Sequence, residues 1–376
     1  MKQYTTIKLR LHPTPEQAEQ MEKTFGCCRY LWNRMLADTA EFYAATGLQY
    51  IPTPAHYKKE APFLREVDSQ PLCTVHQNLR QAFLDFFRNP SAFRHPQFKT
   101  KKARRDSFTV YCRRYRTGPS IRLTGAGLRM PKLGLLKAWA YRKPLHWWDL
   151  KSVTIAKTRS GKYFASVVFG YEAKTPERPA PLPERTLGLN QSLSRFYVDS
   201  EGTSPVLPDF SKSWEKLARI QRKLSRMEQG SKHYETQLRR LQLQHEHMAN
   251  QRRDFIHKES RRIANAWDAV CVRDADLLEL AQRRKENHAA GFGPFPGFGR
   301  FRECLQYKLE RQGKAYLTVD RFAPVAKTCH ACGTVNESLS PGEKHWTCPH
   351  CGAPVVRDVN TARNLRDFGW NTRRTV

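Results

Sequence analysis

Four cysteines near the C-terminus, Cys329, Cys332, Cys348 and Cys351, form C-x2-C-x15-C-x2-C and constrain this chain more than any other feature. Two C-x-x-C pairs at this spacing offer four thiolates for tetrahedral coordination, the geometry of structural Zn²⁺. Gly333 and Gly352 directly follow the pairs, where the backbone must fold back to aim N–H groups at sulfur. A redox reading fails on context, because neither pair opens a helix beside a thioredoxin-like strand. His330, His345 and His350 lie close by, but four cysteines complete the shell and leave no open catalytic position. One structural Zn²⁺ is therefore expected. Of the remaining cysteines, Cys271 lies in an apolar run and reads as a small core residue.

A length of 376 residues allows two or three domains. No apolar run approaches the roughly 18 residues of a membrane span. The start, MKQYTTIKLRLHP, lacks the apolar stretch of a signal peptide. A cytoplasmic, nucleoid-associated protein with no membrane partner is expected, and cysteines there argue against disulfides. Lys and Arg number 65 against 35 Asp and Glu, a net +30 spread along the whole chain. Basic surface of this extent points to nucleic acid.

Along the chain, YTTIKLRLHP alternates as a strand, and Met21, Phe25, Cys28, Leu31, Trp32 and Met35 then recur at helical spacing. A second helix is expected from about Thr74 to Phe87, with Leu79 and Phe83 on its apolar face. Basic residues interleaved with Phe93, Phe98, Phe108, Tyr111 and Tyr115 follow, then short strands ending in a hairpin turned at Ser160-Gly161. These suggest a small β-barrel with a helical insertion. KTPERPAPLPER, residues 174–185, is proline-rich and reads as the linker. Beyond it come the strand TLGLN, a second strand, and a long helical region from Ser213 to Trp267 broken near Gly230. Leu238, Leu241, His245, Met248, Arg252 and Phe255 mark one face of its second part. The apolar strand AVCVRD, a Gly/Pro/Phe-rich loop, a helix and the strand AYLTVDRF lead to the cysteines.

In order, RLHPTPEQ, FGCCRYLWNRML, AFLDFF, FRHPQFKTKK, RMPKLGLLK, GKYFASVVF, RKLSRMEQGSKHYETQLRRL, NQRRDFIHK, the cysteine ribbon and RDVNTARN resemble TnpB. This is the family of insertion-sequence-encoded RNA-guided nucleases related to type V CRISPR effectors, and the resemblance covers nearly the whole chain. It implies an α+β multidomain fold: a wedge-type β-barrel over residues 1–173 with a helical recognition lobe inserted at about 14–95. The linker 174–185 would lead to an RNase H-like (RuvC) α/β domain over 186–376, with the zinc ribbon inserted at about 325–355. A guide RNA and a double-stranded DNA target with a short adjacent motif are the implied partners, one protein per guide as a monomer.

The chain departs from the family where the chemistry should be. Active members carry Asp, Glu and Asp at three separate positions, and the matching residues here are Asn190, Arg273 and Asp358. Two Mg²⁺ ions need bridging carboxylates, yet the side-chain charge of the set falls from three negatives to zero. Asp274, Asp276 and Glu279 lie near Arg273, but residue 274 points to the opposite face of a strand from 273. Asp199 is one strand further along. The pattern resembles the nuclease-dead TldR-type derivatives of TnpB, and implies an RNA-guided repressor that is not an enzyme and needs no catalytic Mg²⁺. An active endonuclease with displaced carboxylates remains the alternative, and a guide-free zinc-ribbon nucleic-acid-binding protein a third.

Three clusters are candidate contacts. Lys99, Lys101, Lys102, Arg104 and Arg105 lie between Phe98 and Phe108, cations beside rings that stack. Arg252, Arg253, His257 and Lys258 lie on the long helix, which the family places against the guide–target heteroduplex, though Glu246, Asp254 and Glu259 make a solvated face nearly as good a reading. Thr74, Gln77, Asn78 and Gln81 lie off the apolar face of the second helix, and Gln and Asn suit adenine in a major groove. By resemblance these, with Tyr50, would read the target-adjacent motif.

Overall fold

The computed structural model describes residues 2–101, 106–116, 118–173, 182–192, 195–274, 297–340 and 342–374. The chain divides into two compact units, Met1–Lys174 and Thr175–Val376.

In the first unit, strand β1 (Lys2–His12) buries Thr5, Ile7, Leu9 and Leu11, the period-two side of its alternation. Each aliphatic side chain fully removed from water there contributes about 1.5–3 kcal/mol. Helix α1 (Pro15–Thr46) starts at a capping box, with the Thr14 hydroxyl accepting from the Gln17 N–H and the Gln17 side chain answering the Thr14 N–H. Its apolar stripe, Met21, Phe25, Cys28, Leu31, Trp32 and Met35, is buried as its spacing predicts. A short helix α2 (Pro54–Tyr57) and helix α3 (Ser69–Arg88) complete the helical part. Helix α3 begins five residues before the expected Thr74, because the Asp68 carboxylate caps the Gln70 N–H.

Strands β2 (Ser107–Tyr111), β3 (Arg114–Tyr115), β4 (Gly118–Pro119), β5 (Arg122–Thr124), β6 (Gly127–Met130), β7 (Gly134–Ala140), β8 (Asp149–Lys157) and β9 (Tyr163–Glu172) follow. Seven form one antiparallel sheet ordered β2-β8-β9-β1-β7-β6-β5, while β3 pairs with β4. The β8–β9 hairpin closes at Ser160-Gly161, with Lys157 opposite Tyr163. Ile7, Leu9 and Leu11 share a single core with α1, α3 and the inner residues of β8 and β9.

The second unit is built on a four-stranded sheet, β11-β10-β12-β13. Strands β10 (Thr186–Asn190), β12 (Ala269–Arg273) and β13 (Ala315–Val319) run parallel, and β11 (Val198–Asp199) is an antiparallel edge. TLGLN and AVCVR are near-continuously apolar because helices cover the sheet. Between β11 and β12 stand α4 (Ser211–Ser225) and α5 (Lys232–Ala266), and α6 (Phe298–Arg311) precedes β13. The break between α4 and α5 falls near Gly230, as expected. The buried face of α5 keeps Met248 as expected but is otherwise rotated: Gln237 and Gln244 are buried and His245 is exposed. The two glutamines go inside by donating to α4 carbonyls, Gln237 to Ile220 at 3.4 Å and Gln244 to Ser213 at 3.1 Å. A two-stranded ribbon, β14 (His345–Thr347) with β15 (Pro354–Val356), leads into the last helix, α7 (Arg357–Arg374). Among the described residues, no helix is long and apolar enough to cross a membrane.

Candidate functional site

Strands β10 and β12 pair in register Leu189↔Val272, so Asn190 and Arg273 end neighbouring strands at one edge of the sheet. Helix α7 brings Asp358 to the same edge in its first turn, where the helix dipole favours a carboxylate. The approach depends on Gly188: a Cβ there would lie 1.8 Å from the Ala362 carbonyl oxygen. Asn190 Nδ2 donates to Asp358 Oδ1 at 3.1 Å, and Ser192 Oγ donates to Asp358 Oδ2 at 2.8 Å. Both carboxylate oxygens therefore have a neutral donor.

Arg273 does not join that pair. Its Nε donates to the Arg321 carbonyl at 3.1 Å, and its Nη2 donates to the same oxygen. Burial lowers its pKa, with Asp320 acting the other way. Of the other acids at this edge, Asp199 is buried and accepts from the Thr203 N–H at 2.7 Å and hydroxyl at 2.5 Å. Asp320, one residue past β13, accepts from the Phe322 N–H at 2.6 Å. Asp274 is exposed, and Asp276 and Glu279 lie outside the described residues. Ser192 and Asp320 carried no recognisable signal in the sequence, being single polar residues just past strand ends.

The four cysteine sulfurs lie within 4.8 Å of one another. Cys329 and Cys351 are 3.8 Å apart, and Cys332 and Cys348 3.6 Å. Zn–S bonds of about 2.3 Å imply tetrahedral edges of roughly 3.8 Å, so the set fits Zn²⁺. Gly333 and Gly352 take φ of 76° and 68°, and their N–H groups bond back to Cys329 and Cys348 carbonyls at 2.8 and 2.9 Å. The Thr334 hydroxyl and N–H lower the Cys332 thiol to about 6. The ribbon is tied to α7 by two side chains of RDVNTARN that sequence reading did not assign. Buried Asn360 accepts from the His330 N–H at 2.8 Å and donates to the Thr328 carbonyl at 2.7 Å. Buried Asn364 donates to the Val325 and Thr328 carbonyls at 2.8 and 2.7 Å.

The expected nucleic-acid contacts divide. Lys99 and Lys101 are exposed as residues, but the Lys99 ammonium folds to 3.5 Å above the Trp32 ring, where burial lowers its pKa. Its backbone is held by Asn33 at 2.7 and 2.9 Å. Lys102, Arg104 and Arg105 lie outside the described residues. Phe98 is open, but Phe108 is not available for stacking on bases. It faces inward on β2 and packs on Phe25 at 5.4 Å.

Thr74 is likewise not a surface reader. It is buried where β2 crosses α3, and its hydroxyl contacts the Gln70 and Thr109 carbonyls at 3.0 and 3.2 Å. Gln77 and Asn78 are exposed, as is Gln81, whose amide donates to Asp85 at 2.7 Å. Tyr50 is open beside Phe42, and the next residue, Ile51, is tied through its carbonyl to His76 of α3 at 3.3 Å.

On α5, Arg252 is half-buried, Arg253 is exposed, and Lys258 is exposed and paired with Asp254 at 2.7 Å. His257 does not belong to that cationic face. It is half-buried, its Nδ1 lies 3.9 Å from Cys304 Sγ of α6, and burial and then Lys308 lower its pKa. Both effects favour the neutral imidazole.

Three family profiles match the chain: "Helix-turn-helix domain" over residues 1–47, "Probable transposase" over 169–284 and "Cas12f1-like, TNB domain" over 298–365. The first span folds here as β1 and a single helix. A "Putative RNA-guided DNA endonuclease" of Streptomyces pristinaespiralis is 31% identical over 96% of this chain and 89% of its own length. The "Putative RNA-guided DNA endonuclease InsQ" of Escherichia coli (strain K12) is 29% identical over 98% of this chain and 93% of its own. In fold, the chain is similar to Cas12f1 from a complex with sgRNA and target DNA, with a TM-score of 0.58, 11% identity, and coverage of 97% of this chain and 98% of that one. With its own motifs in the same order and a relative this similar along nearly its full length, the chain belongs to the TnpB family.

Proposed function

We propose that this protein is an RNA-guided DNA-binding protein whose nuclease site no longer assembles, and that it represses transcription by holding an R-loop open. In this reading the first unit is the wedge-type barrel with its helical recognition lobe, and the second is the RNase H-like domain carrying the zinc ribbon. The observation that carries it is the engagement of Asp358 by Asn190 and Ser192. Two-metal cleavage requires carboxylates on neighbouring elements to share cations between them. Asn190, Arg273 and Asp358 do not fit two Mg²⁺ ions: one carboxylate is present, its oxygens are already hydrogen-bonded, and Arg273 adds a positive charge at the edge.

Neutralising the site leaves guide pairing untouched. Sequence recognition comes from base pairing, while the protein supplies a basic channel and reads a short duplex motif. An R-loop that is not cut persists, and over a promoter it blocks polymerase. The names of the relatives and the basic charge of the chain support nucleic-acid partners; the reading assigns one guide RNA to each monomer.

The test is purification with copurifying RNA, sequencing of that RNA, and incubation of the complex with matched duplex and Mg²⁺. Stable binding with both strands intact is expected. Guide-dependent cleavage by the unmodified protein would return the site to a nuclease with displaced carboxylates. The absence of any defined RNA would favour a guide-free binder.

A further inference from the structure

On β1 and β7 the seven-stranded sheet of the first unit buries one side and turns the other toward solvent. On β1, Ile7, Leu9 and Leu11 enter the core while Lys8, exposed, and Arg10, half-buried, alternate to the other side. On β7, Leu136 is buried while Lys137 and Trp139 face out, Trp139 with 71% of its surface exposed. Tyr141, just past the strand, is 78% exposed. Register puts Arg10 opposite Trp139 on one side and opposite Phe164 of β9 on the other. The Lys8 ammonium lies 4.3 Å and the Arg10 guanidinium 5.1 Å from the centre of the Phe164 ring. Rings and cations therefore alternate across three adjacent strands.

The open side of an antiparallel sheet is ordinarily polar, and large exposed rings gathered on one mark a binding surface. Neither β1 nor β7 contains an Asp or Glu, and Glu172 of β9 shares this side only at its far end, opposite Lys2, so the part around Arg10 and Trp139 carries one sign of charge. Flat rings beside cations, without acids, complement a ligand that offers π-faces and phosphates at the same spacing. Unpaired nucleotides do so, because their bases are free to leave their own stack, whereas a duplex keeps its bases stacked on each other.

We infer that this face, centred on Trp139 and Tyr141 and flanked by Lys8, Arg10 and Lys137, binds an unpaired stretch of RNA by stacking. The inference rests on the RNA-guided reading only for which RNA that is, an unpaired segment of the guide. The full chain, freed of copurifying RNA in high salt, is titrated with a labelled short oligouridylate and with an RNA duplex of equal length. Replacing both rings (Trp139→Ala with Tyr141→Ala) is expected to weaken oligouridylate binding about tenfold or more, leaving the duplex within about twofold, while Trp139→Phe stays within about threefold of wild type. Unchanged melting temperatures show that the variants fold. Unaltered oligouridylate binding, or equal loss with both probes, overturns the stacking site whatever RNA copurifies. A wild type that carries no defined RNA but loses oligouridylate with its rings overturns the guided reading and leaves the site standing.

Discussion

The cysteine ribbon and the Asn190–Asp358 edge are both joined to α7, yet they keep crowded polar groups together by opposite means. The ribbon gathers four sulfurs within 4.8 Å, an arrangement whose thiolates repel unless a cation sits among them. The edge gathers one carboxylate and two neutral donors at 3.1 and 2.8 Å, so both carboxylate oxygens are already hydrogen-bonded. A site that keeps all its ligands stays dependent on its ion. In the proposed reading, the edge has lost charges and hydrogen-bond donors take over the role of the ion.

The largest expected effect tests the ribbon side. Folding and binding are coupled at structural zinc sites, where apparent binding energies reach about 10–16 kcal/mol. A strong chelator, or Cys348→Ser, should release one zinc per chain and abolish the ordered ribbon, read by elemental analysis and by proteolysis within residues 325–355. Freshly purified protein without zinc would break the comparison at its firmer end.

Asn190→Asp tests the other side. It replaces a charge-assisted hydrogen bond with two facing carboxylates, a loss of about 1.5–3 kcal/mol. In chelator-free buffer the variant should melt lower without Mg²⁺ and recover when Mg²⁺ is added, while the wild type should melt alike in both. If Mg²⁺ stabilises the wild type just as strongly, the edge still binds metal. Combined with Arg273→Glu, the same change restores three carboxylates. Weak guide-dependent nicking is expected from the pair and from neither alone, since residues that act as a unit are not additive.

Arg273→Met probes the remaining position. It leaves the Arg321 carbonyl without its guanidinium donor, a loss of about 1 kcal/mol on the scale of ordinary hydrogen bonds, measured by denaturant unfolding. A destabilisation dependent on Mg²⁺ would instead tie Arg273 to a metal. The smallest effect concerns neither site: Lys101→Ala with Lys102→Ala should reduce the slope of log K against log salt by about 0.9 for each duplex phosphate that the lysines no longer neutralise. An unchanged slope would make them solvated side chains.

What the residues revealed in advance was whatever depends on local spacing. Four cysteines, two following glycines, the α1 stripe and the β8–β9 turn are legible because each is decided by residues close in the chain. Packing by distant segments was not. Thr74 looks like a surface residue on α3 until β2 crosses beside it. His257 counts as a cation until α6 buries it. Gln237 and Gln244 look like solvent positions until α4 offers carbonyls to their amides. The substituted positions Asn190 and Arg273 were visible, but not their separate fates, one bonded to Asp358 and the other to a backbone carbonyl.

Helix α7 carries Asn360 and Asn364 on one side, holding the ribbon root, and Asp358 about 200° round the axis, holding β10. It therefore works as an axle with a pin at either side. A load applied to the ribbon is carried to the sheet edge as torque about the helix axis, and the hydrogen bonds to Asp358 resist that rotation. The retained carboxylate thus has mechanical work at this edge whether or not a phosphodiester is ever cut there.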